Sequence, residues 1–138
     1  MRIRIAWPAG ALTAVLRDTP TARTLATALP HAAPARLWGN EVYIQLPLAA
    51  EREPDAAQEV PAGTVCYWIE GNALAFPFGP TPISETETPK LAAPCNLLGH
   101  LEGRWDDLAD VSDGDMIRVE WADPGQFTSS ERSAQRGN

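Results

Sequence analysis

"YWIEGNALAFPFGPTP", residues 67–82, holds a single charge, Glu70, among aromatics, glycines and prolines. Glu70, Gly71 and Asn72 are turn chemistry, and the apolar runs on either side read as two antiparallel strands joined there. Pro77 cannot donate to a ladder, so the second strand is expected at a sheet edge or bulged at that residue. Pro80 and Pro82 stiffen the loop that leaves it, and Gly71 and Gly79 are expected to hold backbone angles that other residues avoid.

The same grammar extends in both directions. Ile3, Ile5 and Trp7 alternate with Arg2 and Arg4, a strand with one buried face. Residues 8–10 turn the chain into a second strand. Thr19 then stands as the N-cap of a helix over residues 20–29, with Pro20 at its first position. Two short strands meet at Gly39-Asn40, and in the second Val42, Ile44 and Leu46 alternate with Glu41, Tyr43 and Gln45. Residues 49–63 are charged and proline-limited, and read as a surface loop with room for some extended structure. A short strand near residues 95–103 with His100, one or two helical turns over 104–111, and a last strand follow, with Met116 or Ile117 entering the core. Residues 123–138 are polar and unpatterned, a tail expected to be disordered. The expected class is mainly β: a closed antiparallel barrel of about eight short strands with two short helices, or a sandwich, in one domain over residues 1–122.

Composition limits function. The formal net charge is −7, and the basic residues are dispersed arginines plus Lys90, which argues against a nucleic-acid partner. No apolar run approaches the roughly 20 residues of a membrane span or a signal peptide's core, so no membrane role and a cytoplasmic location are expected. Cys66 and Cys95 sit in apolar segments and read as buried reduced thiols. Only His31 and His100 are present, neither beside a cysteine pair, so the spacing offers no metal site and implies no cofactor.

Three pieces together resemble a known family. "LLGHLEG" followed by "DDLADVSDGDMIRVEW" is similar to the closing segment of cyclophilins. More specifically, Trp38, Gly39, Glu41 and Tyr43, then Gly63, Tyr67, Trp68 and Gly71, then Phe78, Gly79, Thr81, Pro82 and Ser84 match in order and spacing a small prokaryotic cyclophilin-like family, typified by a Thermotoga protein of unassigned function. The resemblance runs from about Arg2 to Trp121 and implies a cyclophilin-like barrel. It does not imply prolyl isomerisation, because the chain departs from the cyclophilin pattern. Arg36 falls in the region of the catalytic arginine, but no Phe-His precedes it and no Gln-Gly-Gly follows. Glu41 nearby would compete for or neutralise such an arginine.

Glu41 and Tyr43 share a strand face. They are either an exposed carboxylate beside a packed tyrosine, or a carboxylate and phenol offered to a ligand from a concave outer face. Trp38 and Trp68 fit core or rim packing as readily as stacking. Thr81 and Asn96 fit loop capping as readily as ligand contact. Three readings follow. In the first, a non-catalytic module binds a small molecule or an extended peptide in an outer groove through Glu41, Tyr43, Tyr67, Phe78, Thr81 and Asn96. In the second, a non-isomerase enzyme uses Glu41 as acid/base with Tyr43 or Arg36 as polariser. The third, an interaction protein, requires an apolar patch on a free strand edge near Pro77.

Overall fold

The structure is a computed structural model and describes residues 1–122; the tail expected over residues 123–138 lies outside the described residues. β1 (Arg2–Trp7) and β2 (Gly10–Leu16) form the first hairpin, and Ile3, Ile5 and Trp7 are buried. α1 (Pro20–Thr27) begins as its sequence dictates. Thr19 Oγ1 accepts a hydrogen bond from the Ala22 amide at 3.2 Å, and Pro20 opens the first turn. β4 (Arg36–Leu37) and β5 (Glu41–Gln45) meet at a turn where Gly39 has φ +59°, and β7 (Thr64–Trp68) and β8 (Ala73–Pro77) are the strands read from residues 67–82. A 3-10 helix (Trp105–Asp110) precedes β10 (Met116–Trp121), which sends Ile117 and Val119 inward while Met116 stays exposed.

Two strands lack a sequence signature. β3 (His31–Pro34) buries only Ala33 and owes its form to pairing with β10. β6 (Ala57–Glu59) lies within the charged loop and pairs with β9 (Lys90–Leu101). β9 starts earlier than expected, at Lys90. Between Ala57↔Cys95 and Glu59↔Lys90 the ladder shifts register, and Pro94 falls in that irregular stretch.

The expectation of a closed eight-stranded barrel is corrected. All ten strands belong to one antiparallel sheet, ordered β3-β10-β1-β2-β9-β7-β8-β5-β4 with β6 on β9, and β3 and β4 are its unjoined ends. These two strands are consecutive in the chain, separated only by Ala35, yet β3 pairs with β10 and β4 with β5. The ladder therefore stops there. His31 Nε2, 2.8 Å from the Gln45 carbonyl oxygen, bridges the gap from β3 to β5 through a side chain.

Pro77 is corrected too. β8 is an interior strand held by β5 and β7, and Pro77 is its last residue, opposite Glu41. No free edge exists at Pro77 for the interaction reading to use. Gly71 and Gly79 do not have positive φ. A side chain at Gly71 would overlap the Trp68 ring, and one at Gly79 would come 2.7 Å from Asn40 Nδ2.

The sheet has two packed faces. Inward, Ile3, Ile5, Val42, Ile44, Leu74, Phe76, Leu98 and Ile117 share the main core with Leu25 of α1. Outward, a smaller cluster gathers Val60, Cys66, Ala75, Leu91 and Cys95, with Tyr43 and Trp68 against it. All of β8 and β5 as far as Ile44 are thus covered on both sides, while Gln45 at the end of β5 is exposed.

Candidate ligand-binding site

The outer cluster is hollow. A cavity of about 230 Å³ is lined by Trp38, Glu41, Tyr43, Trp68, Ala75, Leu91, Ala92 and Cys95. Sheet register explains its shape. Arg36, Tyr43, Ala75, Cys66 and Leu97 follow one another across β4, β5, β8, β7 and β9, and Gln45, Ala73 and Trp68 form the next row. Directly paired residues project from the same face. The floor is therefore alanine where its neighbours are large, and Tyr43 and Trp68 stand as walls. Their rings meet edge to face, with centroids 6.4 Å apart and planes at 86°.

Glu41 sits at one side of this cavity, 6% exposed. Its Oε1 is buried with no hydrogen-bond partner, as is Trp68 Nε1. Burial pushes the carboxyl up from 4.5 to about 7. The hairpin that carries it is clamped from outside: Asn40 donates to the Pro80 carbonyl at 3.0 Å and Phe78 donates to the Asn40 carbonyl at 2.8 Å. A Cβ at Gly39 would lie 2.8 Å from Pro82 Cδ, so the loop packs directly on the turn. Burial also pushes both thiols up, Cys95 to about 12, with the Glu41 charge adding to the effect.

Of the residues singled out in the sequence, the structure brings Glu41 and Tyr43 to the cavity with Trp38 and Trp68. Tyr67 faces the main core, where its hydroxyl donates to the Leu46 carbonyl at 2.9 Å and accepts from the Leu48 amide at 2.9 Å. Phe78 packs against the same core. Thr81 fastens the exit loop to β9: its Oγ1 donates to the Lys90 carbonyl, and its amide donates to Ser84 Oγ at 2.8 Å. Asn96 is fully buried and ties three segments together. Its Nδ2 donates to Thr21 Oγ1 and the Glu51 carbonyl, and its Oδ1 accepts from the Glu53 amide, each at 2.9 Å. Arg36 is exposed on β4, opposite Tyr43 but outside the cavity lining.

Ala75, Leu91, Ala92 and Cys95 were not anticipated. The signal for Ala75 was present, since Ala73 and Ala75 alternate with Leu74 and Phe76 and mark a small-residue face. Leu91 and Cys95 reach the site only through the irregular β6–β9 pairing, which no local pattern announces.

Among the described residues no group of His, Cys, Asp and Glu can hold a metal ion, and no helix is long and apolar enough to cross a membrane. A comparison with curated proteins finds no match. The chain is similar to a hypothetical protein of Archaeoglobus fulgidus whose solution structure is known, at 34% identity and a TM-score of 0.76, over 88% of this chain and 95% of that one. The model of the family described as cyclophilin-like matches residues 1–120. With the antiparallel sheet and the motif order of its middle strands, this coverage means that the chain belongs to the cyclophilin-like family.

Proposed function

We propose that this protein is a binding module whose outer-face cavity takes a small molecule, and that it is not a prolyl isomerase. One observation carries the reading: a carboxyl oxygen of Glu41 is buried beside an apolar cavity with nothing bonded to it. A polar group left that way costs about 1–3 kcal/mol, a cost that a bound partner removes. Ligand sites have this composition, mostly apolar and aromatic walls with a few oriented polar atoms. A volume of about 230 Å³ suits a ligand of few heavy atoms better than an extended peptide.

Thermal-shift screening with small polar and charged fragments tests the proposal. A fragment at 100 times its Kd adds about 2.7 kcal/mol to stability. The shift is expected to disappear when the cavity is filled by Ala75→Leu. A screen that moves nothing at millimolar fragment would end the binding reading.

A second reading, a non-isomerase enzyme with Glu41 as general acid/base, is favoured by one observation. A carboxyl raised to about 7 has the proton affinity that such catalysis uses at neutral pH. It ranks second because Oε1 has no second polar group in hydrogen-bond reach to orient or relay a proton.

A further inference from the structure

Three neutral aromatics, four small or apolar side chains and one acid line the cavity, and no Arg, Lys or His does. The acid has no cationic neighbour acting on it; burial alone accounts for its behaviour. Such a site rejects anions. A wholly apolar occupant would leave the carboxyl desolvated and unpaired, the least favourable arrangement for that group. A flat heterocycle stacks best between parallel walls, whereas the Tyr43 and Trp68 rings make a right-angled corner. A corner of two aromatic faces touches a rounded group on two sides. Aromatic faces within about 6 Å attract cations, more strongly when water is excluded.

Resting on the cavity reading above, we infer that the occupant is a small alkylated ammonium cation, with its alkyl groups against Trp38, Tyr43 and Trp68 and its N–H toward the Glu41 carboxylate. The ligand supplies the positive charge that the protein leaves out. Because Glu41 gives up its proton near pH 7 in the empty cavity, cation binding below that pH expels one proton. Affinity then falls about tenfold for each pH unit below 7 and is flat above it. Among the described residues the other titratable groups on this face near Glu41 are Cys66 of β7, Cys95 of β9, Tyr43 of its own strand and, on β4, the exposed Arg36, which lies outside the cavity lining. Both thiols stay protonated across this range, and Arg52 and Glu70, which act on Cys95, are paired with each other.

The test is calorimetric titration of the full chain with trimethylammonium chloride and, as a neutral comparator of similar size, tert-butanol, from pH 5.5 to 8.5. The expected result is saturable binding of the cation only, weakening about tenfold per unit below pH 7. Glu41→Gln is expected to lose the cation at least about tenfold. If Glu41→Gln does not fold, the wild-type pH profile decides alone. Equal binding of both probes, or cation binding indifferent to pH, overturns the ammonium assignment and leaves the cavity reading standing. Binding of neither probe also overturns the assignment, and the fragment screen with Ala75→Leu then judges the cavity separately.

Discussion

Gly71 lies flat against the six-membered ring of Trp68, so close that a Cβ at position 71 would overlap Cε3, Cζ3 and Cδ2. The β7–β8 turn and the wall of the cavity are thus one packing unit. The contact also fixes which way the indole stands, and hence the corner it makes with Tyr43. Gly71→Ala is expected to push Trp68 off its position and cost about 1–3 kcal/mol, as overpacking does. Urea denaturation measures the loss, and a changed near-ultraviolet circular dichroism band reports the moved indole. An unchanged stability and spectrum would mean that the turn, not the ring, yields.

Glu41 makes stability depend on pH in the direction opposite to most carboxyls. Its folded pKa, about 7, lies above its ordinary 4.5, so between these values the folded state keeps a proton that the unfolded chain has released. Stability is therefore highest below about 4.5 with respect to this group, and is lost as pH rises to about 7. The shift corresponds to about 3 kcal/mol. Glu41→Gln resembles the protonated form at every pH. It is expected to match the wild type near pH 4.5 and exceed it by about 3 kcal/mol at pH 8, read from paired denaturation curves. A constant difference across that range would show that burial does not hold the proton.

Ala75→Leu fills the space between Tyr43 and Cys66 on the outer face. Ala75 is 1% exposed and forms the floor of an existing hollow, so the added atoms enter empty volume. Stability is expected to change by less than about 1.5 kcal/mol, while fragment-induced thermal shifts vanish. A variant that keeps those shifts would place the binding site elsewhere.

Much of this was legible where side chains obey a local period. Val42, Ile44 and Leu46 announced their burial, and with it the common outward face of Glu41 and Tyr43. Tyr67 shows the limit. It alternates correctly with Trp68, but alternation cannot say which of two covered faces is the solvent side. Here both faces are packed, and Tyr67 went inward to the Leu46 and Leu48 backbone. β3 has no local signature because it is defined by its partner strand, and the extended structure allowed in the charged loop could not be placed at β6 without its partner β9. Sheet closure is not legible because Ala35 joins two strands with different partners.

Asn96 is a bracket between elements. Replacing it with alanine leaves the buried Glu53 amide without its acceptor and removes the donor to the Glu51 carbonyl and to the Thr21 hydroxyl, which keeps only its bond to Glu53 Oε2. Glu53 also accepts from the Thr21 amide at 2.9 Å at the start of α1, so the helix is affected with the loop. Asn96→Ala is expected to cost about 2–4 kcal/mol in urea denaturation, with trimethylammonium or fragment affinity unchanged in the folded fraction. A selective loss of affinity without loss of stability would move Asn96 into the binding site.

Prolyl isomerisation is the activity that the fold suggests and the residues do not. Arg36 is exposed at the sheet end, across from Tyr43, and no ion pair joins it to Glu41 among the described residues. Arg36 shares the row of Tyr43, a wall of the cavity, but does not line the cavity itself. Uncatalysed isomerisation takes tens to hundreds of seconds at 25 °C, so weak catalysis would stand out clearly. A proline-containing test peptide is expected to isomerise at the same rate with this protein as with an inert protein at equal concentration, and Arg36→Ala is expected to change nothing. Acceleration that Arg36→Ala abolishes would show that the β4 edge, and not the Glu41 cavity, is where this chain does its chemistry.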